Sequence, residues 1–555
     1  MSQGPMETVL VGGRVTTMDP DRPAATAVRV LGRRIVAVGG DDEVLAAAGP
    51  HAEVVDLAGR GVLPGLHDAH LHLALWAELA AEDRLDLLWD EPRGIAVVVK
   101  ELRARARTTP REGWIVGSGW ERGVVRELAD RHPVRSDLDD DAVPQAVVLL
   151  HRSQHAAWVN TEALRRAGID ASTPDPDGGV VVRDERGVPT GLLLEAAAEL
   201  VLRHLPQASE AQRLERLRVR AAELSRLGVT SVTDPAATPQ MVRDYHALIS
   251  AGGFPLRMSC LLHWDWPSLA TDLERTARAM SDLITPSGFG DDRLRIIGAK
   301  LFADGVPSLG TAHHEPDVVG GVPGCLLTGH GDLPTRTEEF EAIVRLLHAH
   351  RLSVQIHATG RAANRLAVRT LARVRGEDPW PAARHAVIHG TFLDDGLAAL
   401  AAEADISVVT NGLVLWYAAD AWRARMSAGD LEACMPVGSL VAAGVRVADG
   451  SDAPVQWPDW RQSVATLVTR EARGSGAVVG PAERVDLTAA LAAWTIHPAY
   501  LSGQEHQLGS IRPGNLADLV LLEEDVASID PGRLHTLTPV GTMLDGGWVY
   551  GPVPR

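Results

Sequence analysis

An HxH pair and a neighbouring carboxylate are the first residues of this chain that could carry chemistry. His70 and His72 follow Asp68, just after a Pro-Gly breaker at residues 64–65. If this stretch is a strand, side chains alternate, so all three point to one face, with the two imidazoles about 6–7 Å apart. Imidazoles at that spacing can bind one divalent metal ion and leave positions open for other ligands and a water. The alternative is a polar strand end whose histidines only form hydrogen bonds.

Four more side chains of this kind each lie near the end of an apolar, β-like run. They are Lys300, His357, His389 and Asp452. Burial lowers the pKa of a lysine and makes its neutral amine nucleophilic. Any one of the four, taken singly, could be a core or loop residue with a hydrogen-bond partner, and for a lone histidine that explanation is the more common one. One at each of four strand ends, beside an HxH strand, is much harder to explain as four unrelated core or loop residues, so we expect these side chains to carry chemistry.

The elements that must position these groups alternate between β-like runs and helical segments. The runs cover residues 229–234, 256–263, 296–304, 353–359, 386–391, 406–411 and 445–452. With the HxH stretch they make eight strands. Strands that alternate with helices favour a parallel sheet, and eight of them predict an α/β fold of the (β/α)₈ TIM-barrel type with its active site at the carboxyl ends of the strands.

The two ends of the chain and one long interior segment do not follow this rhythm. Short β runs separated by Gly and Asp turns fill the first 60 residues and return near the carboxyl terminus. We therefore expect a β-sandwich domain from residues 1–62 and 500–555, and a barrel from residues 63–75 and 216–499. Residues 76–215 have a helical, Arg/Ala/Leu-rich pattern and are expected to form an inserted α/β domain that caps the substrate site.

Composition narrows the class of protein. At 555 residues the chain needs at least two structural units, and its net charge of −18 without a basic cluster argues against a nucleic-acid partner. Cys260, Cys325 and Cys434 are scattered and odd in number, which excludes a disulfide framework and suits a reducing compartment. No signal peptide or long apolar run stands out. We expect a cytoplasmic enzyme with a small-molecule substrate and no membrane partner, and a homodimer stays open as its assembly.

The chain resembles the amidohydrolase superfamily in the order of its candidate residues, which is HxH followed by Lys, His, His and Asp. Its surrounding motifs resemble the YtcJ-like branch, amidohydrolase family 3, in which N-substituted formamide deformylases belong. The matching stretches are residues 64–72, 119–121, 155–164, 191–195, 228–234, 300–305, 450–454 and 514–519. This resemblance implies a distorted (β/α)₈ barrel, a β-sandwich built from both chain ends, and an inserted domain over the site.

The resemblance also implies a set of ligands for one or two divalent metal ions, with zinc as the expected metal. The implied set is His70, His72 and Asp452 for one ion, and His357 and His389 for a second. Lys300, carboxylated by carbon dioxide, would bridge the two ions. The alternative is a single ion with an uncarboxylated Lys300 that acts as a charge donor.

The implied activity is metal-dependent hydrolysis of a carbon–nitrogen bond other than a peptide bond, with an N-substituted formamide as the leading substrate. A hydroxide activated by the metal would attack the carbonyl, while Asp452 takes the proton of the water and passes it to the leaving amine. The first rival is hydrolysis of a cyclic amide, carbamate, ester or lactone at the same site. The second is a metal-containing binding or regulatory protein without turnover, which would need no proton shuttle.

Three residues are the substrate-binding candidates: Trp120 and His155, which lie in motifs that match the family, and Arg361. Two departures from the family pattern lie near the expected pocket. Where relatives usually carry Gly-Asp this chain has Gly360-Arg361, and where they read Asp-Gly-His it has Ser153-Gln154-His155. Arg361 could bind a carboxylate with two hydrogen bonds, or could simply pair with an acidic neighbour on the surface.

Overall fold

The centre of the protein is an eight-stranded parallel sheet. The computed structural model describes residues 6–89, 91–265, 268–282, 285–314, 324 and 326–551, so Cys325 lies outside the described residues. The strands are β1 (Leu66–Asp68), β2 (Val229–Ala237), β3 (Arg257–Leu262), β4 (Leu294–Phe302), β5 (Val354–Ala358), β6 (Ala386–His389), β7 (Ser407–Thr410) and β8 (Val447–Asp449). Each pairs in parallel with the next along the chain.

The sheet curls until its first and last strands meet. Just past β1, the Ala69 N–H donates to the Asp449 carbonyl at the end of β8 (3.1 Å), and the Asp452 N–H donates to the His70 carbonyl (2.7 Å). The result is a nearly closed barrel, and the predicted fold class and its eight strands are confirmed. Near-continuous apolar strands are expected here because both faces of a parallel sheet are covered.

Helices surround this barrel because they carry apolar stripes that face the strands. In the helix Arg361–Glu377, for example, Ala363, Ala367, Val368 and Leu371 are buried at helical spacing. The helices that follow or precede barrel strands are Leu73–Leu79, Glu210–Arg226, Pro239–Ser250, Leu273–Asp282, Leu333–Ala349, Arg361–Glu377, Asp395–Glu403, Gly412–Arg423, Ala428–Glu432, Val437–Ala442, Trp460–Thr469, Leu487–Ala492 and Ile496–Leu501. Within the described residues, every helix is too short or too polar to span a lipid bilayer.

Strands from both ends of the chain form two further sheets that share one apolar core. The four-stranded sheet contains Glu7–Val11, Ala27–Leu31, Arg34–Gly39 and Glu53–Asp56, and the helix Asp41–Ala46 packs on it. The six-stranded sheet contains Arg14–Thr16, Ala24–Ala25, Gly61–Pro64, Leu519–Leu522, Pro539–Leu544 and Gly547–Tyr550. Leu10 and Val28 of the first sheet pack in one cluster with Leu519 and Met543 of the second.

The segment between the first two barrel strands is built around a sheet, and not mainly of helices as its composition suggests. The strands are Leu85–Asp86, Trp114–Trp120, Ala146–His151, Ala156–Val159, Gly179–Arg183 and Pro189–Glu195, accompanied by the helices Ile95–Ala106, Thr161–Ala167 and Glu199–Leu202. The strand Ala146–His151 is buried at every position. Several of these strands are rich in Val and Trp, residues that favour strands, so their local sequence agrees with the sheet even though the segment as a whole has a helical composition.

Candidate metal centre and catalytic cavity

The HxH pair lies just beyond the end of β1, not within a strand. The His72 N–H donates to the Ala453 carbonyl (3.0 Å), so the backbone here bonds to the loop after β8. The two imidazole centroids are 5.2 Å apart. Asp68 does not share their face as predicted, because its Oδ1 accepts hydrogen bonds from the backbone N–H groups of His70 and Ser451 (both 3.1 Å). Asp68 thus ties the HxH turn to the loop after β8.

Asp452 brings its carboxylate to the two histidines of the HxH pair. Its Oδ1 lies 3.3 Å from His70 Nε2 and 3.6 Å from His72 Nε2. One ligand atom each of His70, His389 and Asp452 lies within 4.8 Å of the other two. Both Asp452 (φ +57°) and His389 (φ +69°) have left-handed backbone, which is uncommon outside glycine and clusters at functional sites.

His357 and His389 face each other with ring nitrogens only 2.9 Å apart. His357 Nε2 lies 3.1 Å from the Gly305 carbonyl, which can only accept, so Nε2 carries the proton and Nδ1 has the lone pair. His389 Nδ1 lies 2.6 Å from Asn411 Oδ1, and Asn411 Nδ2 donates to the Gly450 carbonyl. His389 Nδ1 therefore donates, and its Nε2 has the lone pair. Two lone pairs thus point at one another.

Burial favours the uncharged form of all these histidines. It lowers the pKa of His389 to about 3, and the pKa values of His70, His72 and His357 well below the usual 6.5. Neutral imidazole is the form that binds metal ions, with the other ring N–H commonly donated to a carbonyl oxygen. The donor set therefore fits a divalent cation, which would receive the facing lone pairs of His357 and His389.

Lys300 is completely buried in β4 and lines the same cavity. Among the described residues its Nζ has no hydrogen-bond partner, and it lies 4.6 Å from the ring centroid of Phe302. Burial lowers the pKa of this amine to about 7, an effect that the charge of Asp452 partly opposes. A substantial fraction of Lys300 is therefore a neutral, nucleophilic amine at neutral pH.

The predicted substrate residues differ in where they lie. His155 lines the cavity, and its Nδ1 lies 2.5 Å from Glu195 Oε2. Trp120 lies behind that wall: its indole N–H donates to the Leu149 carbonyl (2.7 Å) and its ring packs edge-on against His151.

Arg361 is not among the described residues that line the cavity. Its Nη2 pairs with Asp430 Oδ1 (2.5 Å), and its guanidinium lies 4.8 Å from the ring centroid of Phe392. The structure therefore agrees with the second interpretation of Arg361, a pairing with an acidic neighbour. Of the three substrate-binding candidates, His155 is the one that lines the cavity.

A cluster of Glu121, Arg152 and Tyr417 lines the cavity. The sequence did not predict that these three residues would meet. The Tyr417 hydroxyl donates to Glu121 Oε2 (2.8 Å), and the Arg152 guanidinium lies 4.1 Å over the Tyr417 ring. Glu121 was visible in a motif, but Tyr417 lies 296 positions away, on a helix after β7. No local signal links the two.

Asp304, which follows β4, organises the loops beside the candidate metal ligands. Its carboxylate accepts hydrogen bonds from the backbone N–H groups of His313 (2.8 Å), Thr359 (2.9 Å) and Gly360 (2.7 Å). Burial raises the pKa of this carboxyl group to about 7, although those hydrogen bonds oppose the shift. Asp304 lies in a matched stretch, 300–305, which is the one signal that could have identified it.

Comparison with known proteins adds independent information. A sequence profile of the amidohydrolase family matches residues 53–550. The chain is 32% identical over 553 residues to the N-substituted formamide deformylase of Arthrobacter pascens, with 97% of each chain covered. It is 27% identical over 564 residues to the putative amidohydrolase YtcJ of Bacillus subtilis, covering 98% of this chain and 99% of that relative. Its fold matches an uncharacterized metal-dependent hydrolase from Pyrococcus horikoshii with a TM-score of 0.72 at 20% identity, over 95% of this chain and 99% of that one.

Proposed function

The chain belongs to the amidohydrolase family, as its motifs predicted, and on that premise we propose that it hydrolyses the carbon–nitrogen bond of a small acyl amide with the help of a bound divalent metal ion. An N-substituted formamide is the first candidate substrate, because the relative of that name covers 97% of this chain. The single observation that carries the proposal is the convergence of neutral imidazoles and a carboxylate at the carboxyl ends of the barrel strands.

The residues that would hold the metal follow from the donor atoms in the cavity. His70, His72 and Asp452 form one group, and the lone pairs of His357 and His389 form a second. This set of nitrogen and oxygen donors suits zinc. When bound, such an ion polarises a carbonyl group and lowers the pKa of water from about 15.7 to about 7.

Lys300 is the residue that could join the two groups. Its neutral amine can attack the carbon of carbon dioxide and lose one proton, which gives a carbamate with two oxygens and one negative charge. A buried amine without a hydrogen-bond partner among the described residues supports this role. A high-resolution crystal structure that shows density ending at a bare amine beside a single metal ion would favour the one-metal alternative.

The proton transfers are assigned to Asp452. Its carboxylate accepts the proton of the attacking water and returns it to the nitrogen of the leaving amine, so that no proton is gained or lost over the cycle. General acid–base transfer of this kind contributes about 10²–10⁴-fold in rate. His155, held by Glu195, is placed to hydrogen-bond the substrate from the inserted domain.

The test is hydrolysis of a panel of substrates by protein stripped with a chelator and then reloaded with zinc, followed as amine release for the members that contain nitrogen and as acid release for the ester and the lactone. The panel contains N-substituted formamides, the matching acetamides, a carbamate, an ester and a lactone. We expect metal-dependent amine release, fastest from the formamides, with one or two metal equivalents bound per chain. Faster turnover of the ester or lactone would favour the first rival, and tight metal binding without turnover of any panel member would favour a binding or regulatory protein.

A further inference from the structure

A second cavity lies directly beside the catalytic one. The two have three lining residues in common, Leu75, Gln154 and Leu269. Together with the open solvent at its mouth, the second cavity has a volume of about 1520 Å³, compared with about 1000 Å³ for the catalytic cavity measured in the same way. Removal of one side chain from the common wall would therefore join a large additional space to the active site.

Gln154 is the polar member of that wall, and its backbone has a conformation that favours glycine. Its φ of +66° lies in the left-handed region, which costs roughly 1 kcal/mol for a residue with a Cβ. Its side-chain amide nevertheless is held firmly: Nε2 donates to Ser118 Oγ (2.9 Å) and to the carbonyls of His151 (2.9 Å) and Arg152 (3.2 Å). The two amide hydrogens are shared among these three acceptors, and Oε1 is buried without a hydrogen-bond partner among the described residues. The contacts of Nε2 nevertheless hold the end of the side chain in one position.

The second cavity favours an apolar occupant. Its lining includes Leu79, Val116, Leu150, Leu202, Leu205 and Leu217. The charged groups at its edge are already paired with each other: Arg213 binds both oxygens of Asp244 (2.7 and 3.1 Å), and Glu78 contacts Arg84 and Arg216. Most of these charges are therefore already compensated, and an alkyl or aryl group in this cavity needs no new partner.

We propose that Gln154 is a specificity-determining residue, which separates the catalytic cavity from the second cavity and so limits how long an apolar substituent the substrate can carry. This inference rests on the proposed function for the identity of the substrate, but the partition itself is a property of the wall. A shorter residue at position 154 lets an alkyl chain pass from the catalytic cavity into the second one.

The experiment compares wild type with Gln154→Gly on N-alkyl formamides from methyl to octyl. Each methylene that enters the apolar space should gain about fourfold in kcat/KM. We expect the ratio of kcat/KM for the long to the short substrates to rise at least about tenfold in the variant, since two or more methylenes gain access. Gln154→Ala, which also removes the amide, should show the same direction and serves if the glycine variant does not fold.

Two further variants distinguish the loss of the partition at Gln154 from the general effects of introducing a glycine. Ala58→Gly places glycine at an exposed position with φ +51°, remote from both cavities, and should leave the length profile unchanged. Leu205→Trp, added to Gln154→Gly, places a larger side chain among the residues that line the second cavity and should reduce the gain for the longest substrates. A length profile that is the same in wild type and Gln154→Gly would overturn the proposal.

Binding of n-alkyl alcohols of the same lengths, measured by calorimetry, makes the outcome independent of turnover. An alcohol carries the same apolar tail and has no bond to hydrolyse. If Gln154→Gly binds long alcohols more tightly but no formamide is cleaved, the proposed reaction is wrong and the partition stands. If formamides are cleaved with no change of length dependence in either measurement, the partition is wrong and the reaction stands.

Discussion

At the scale of single residues, hydrogen bonds to the far side of each imidazole decide which nitrogen can bind a metal. Gly305 and Asn411 accept from His357 and His389, and in doing so leave the two lone pairs aimed at one space. Residues of this kind are worth as much to a metal site as its ligands, because they set the tautomer and the ring orientation.

Replacement of Asp452 should separate its proposed role as a metal ligand from its proposed role in proton transfer. Asp452→Asn keeps the shape and one oxygen donor but cannot accept a proton, so we expect substantial metal retention and a fall in kcat of about 10²-fold or more, with a smaller change in KM. Steady-state kinetics beside metal analysis of the same preparation would measure both. Near-normal turnover would remove Asp452 from the mechanism and revive the alternative of a metal-binding protein without activity.

Glu195 should act through His155. Its backbone is strained (φ +51°, ψ −128°), and its carboxylate accepts from His155 Nδ1 and from the Thr311 hydroxyl, both at 2.5 Å. Glu195→Gln loses a charge-assisted hydrogen bond worth about 1.5–3 kcal/mol, so kcat/KM should fall about 10–100-fold. Metal content should stay at the wild-type level, which distinguishes this role from that of a ligand. A parallel loss of metal would contradict it.

At the scale of elements, a relay of two buried histidines joins the start of β6 to its neighbours. The Val354 N–H of β5 donates to His385 Nδ1 (2.9 Å), so His385 Nε2 donates to His348 Nδ1 (2.9 Å). His348 Nε2 then donates to the Asp378 carbonyl (2.8 Å). Each nitrogen has one defined role only while both rings are neutral. A proton on His385 Nδ1 would meet the Val354 N–H and break the relay.

This relay predicts a loss of stability in acid. Burial, with a smaller contribution from His348, lowers the pKa of His385 to about 3, against about 6.5 when unfolded. Because the folded pKa is the lower one, the stabilisation is complete above about pH 6.5 and is lost as the pH falls toward 3, at up to about 1.4 kcal/mol per pH unit.

The check is a variant that cannot titrate. In metal-free protein, the denaturation midpoint of His385→Asn should fall less between pH 7 and pH 5 than the midpoint of wild type does. At pH 7 the midpoint of the variant should be the lower of the two. His506→Asn is a control at an exposed histidine that should leave the pH dependence as it is in wild type. If His385→Asn and wild type lose stability in parallel, His385 is protonated in the folded state or does not titrate in this range.

At the scale of the whole molecule, a buried ion pair fastens the barrel to the terminal sheets. Arg257, which begins β3 and is 2% exposed, binds both oxygens of Asp518 through Nε (2.7 Å) and Nη2 (2.9 Å), and also contacts Asp545. Asp518 immediately precedes a strand of the six-stranded sheet. The chain end is thus held against the barrel by charge as well as by apolar packing.

Removal of one partner should be costly. Arg257→Met leaves Asp518 buried without its counter-charge, so the free energy of unfolding should fall by about 3–5 kcal/mol. The double variant Arg257→Met with Asp518→Leu should recover much of that loss. Arg33, half-exposed and paired with the same Asp545, is the matched control, and Arg33→Met should cost about 1 kcal/mol or less. Equal losses at Arg257 and Arg33 in chemical denaturation would contradict the role of the buried pair.

Features that depend on local pattern could be predicted from the sequence. Strand positions followed from apolar runs because both faces of a parallel sheet are buried, and the eight runs correspond to β1–β8. The family followed from the HxH pair, Lys300 and the motifs around them, since metal chemistry restricts residue types at short spacing. The inserted sheet was harder to predict, because the composition of residues 76–215 as a whole indicates helices and conceals short strands such as Trp114–Trp120 and Gly179–Arg183, whose Val and Trp residues favour strands.

Features that depend on distant contacts were decided by the tertiary structure. Trp120 and Arg361 lie in or near matched motifs, yet packing directs the Trp120 side chain into the core and pairs Arg361 with Asp430. Tyr417 meets Glu121 across 296 positions, and Gln154 becomes a wall only because a second cavity lies behind it. Sequence spacing restricts which residues can be neighbours along one element, whereas the direction of a side chain and the space behind it are set by the packing of elements that are remote in the chain.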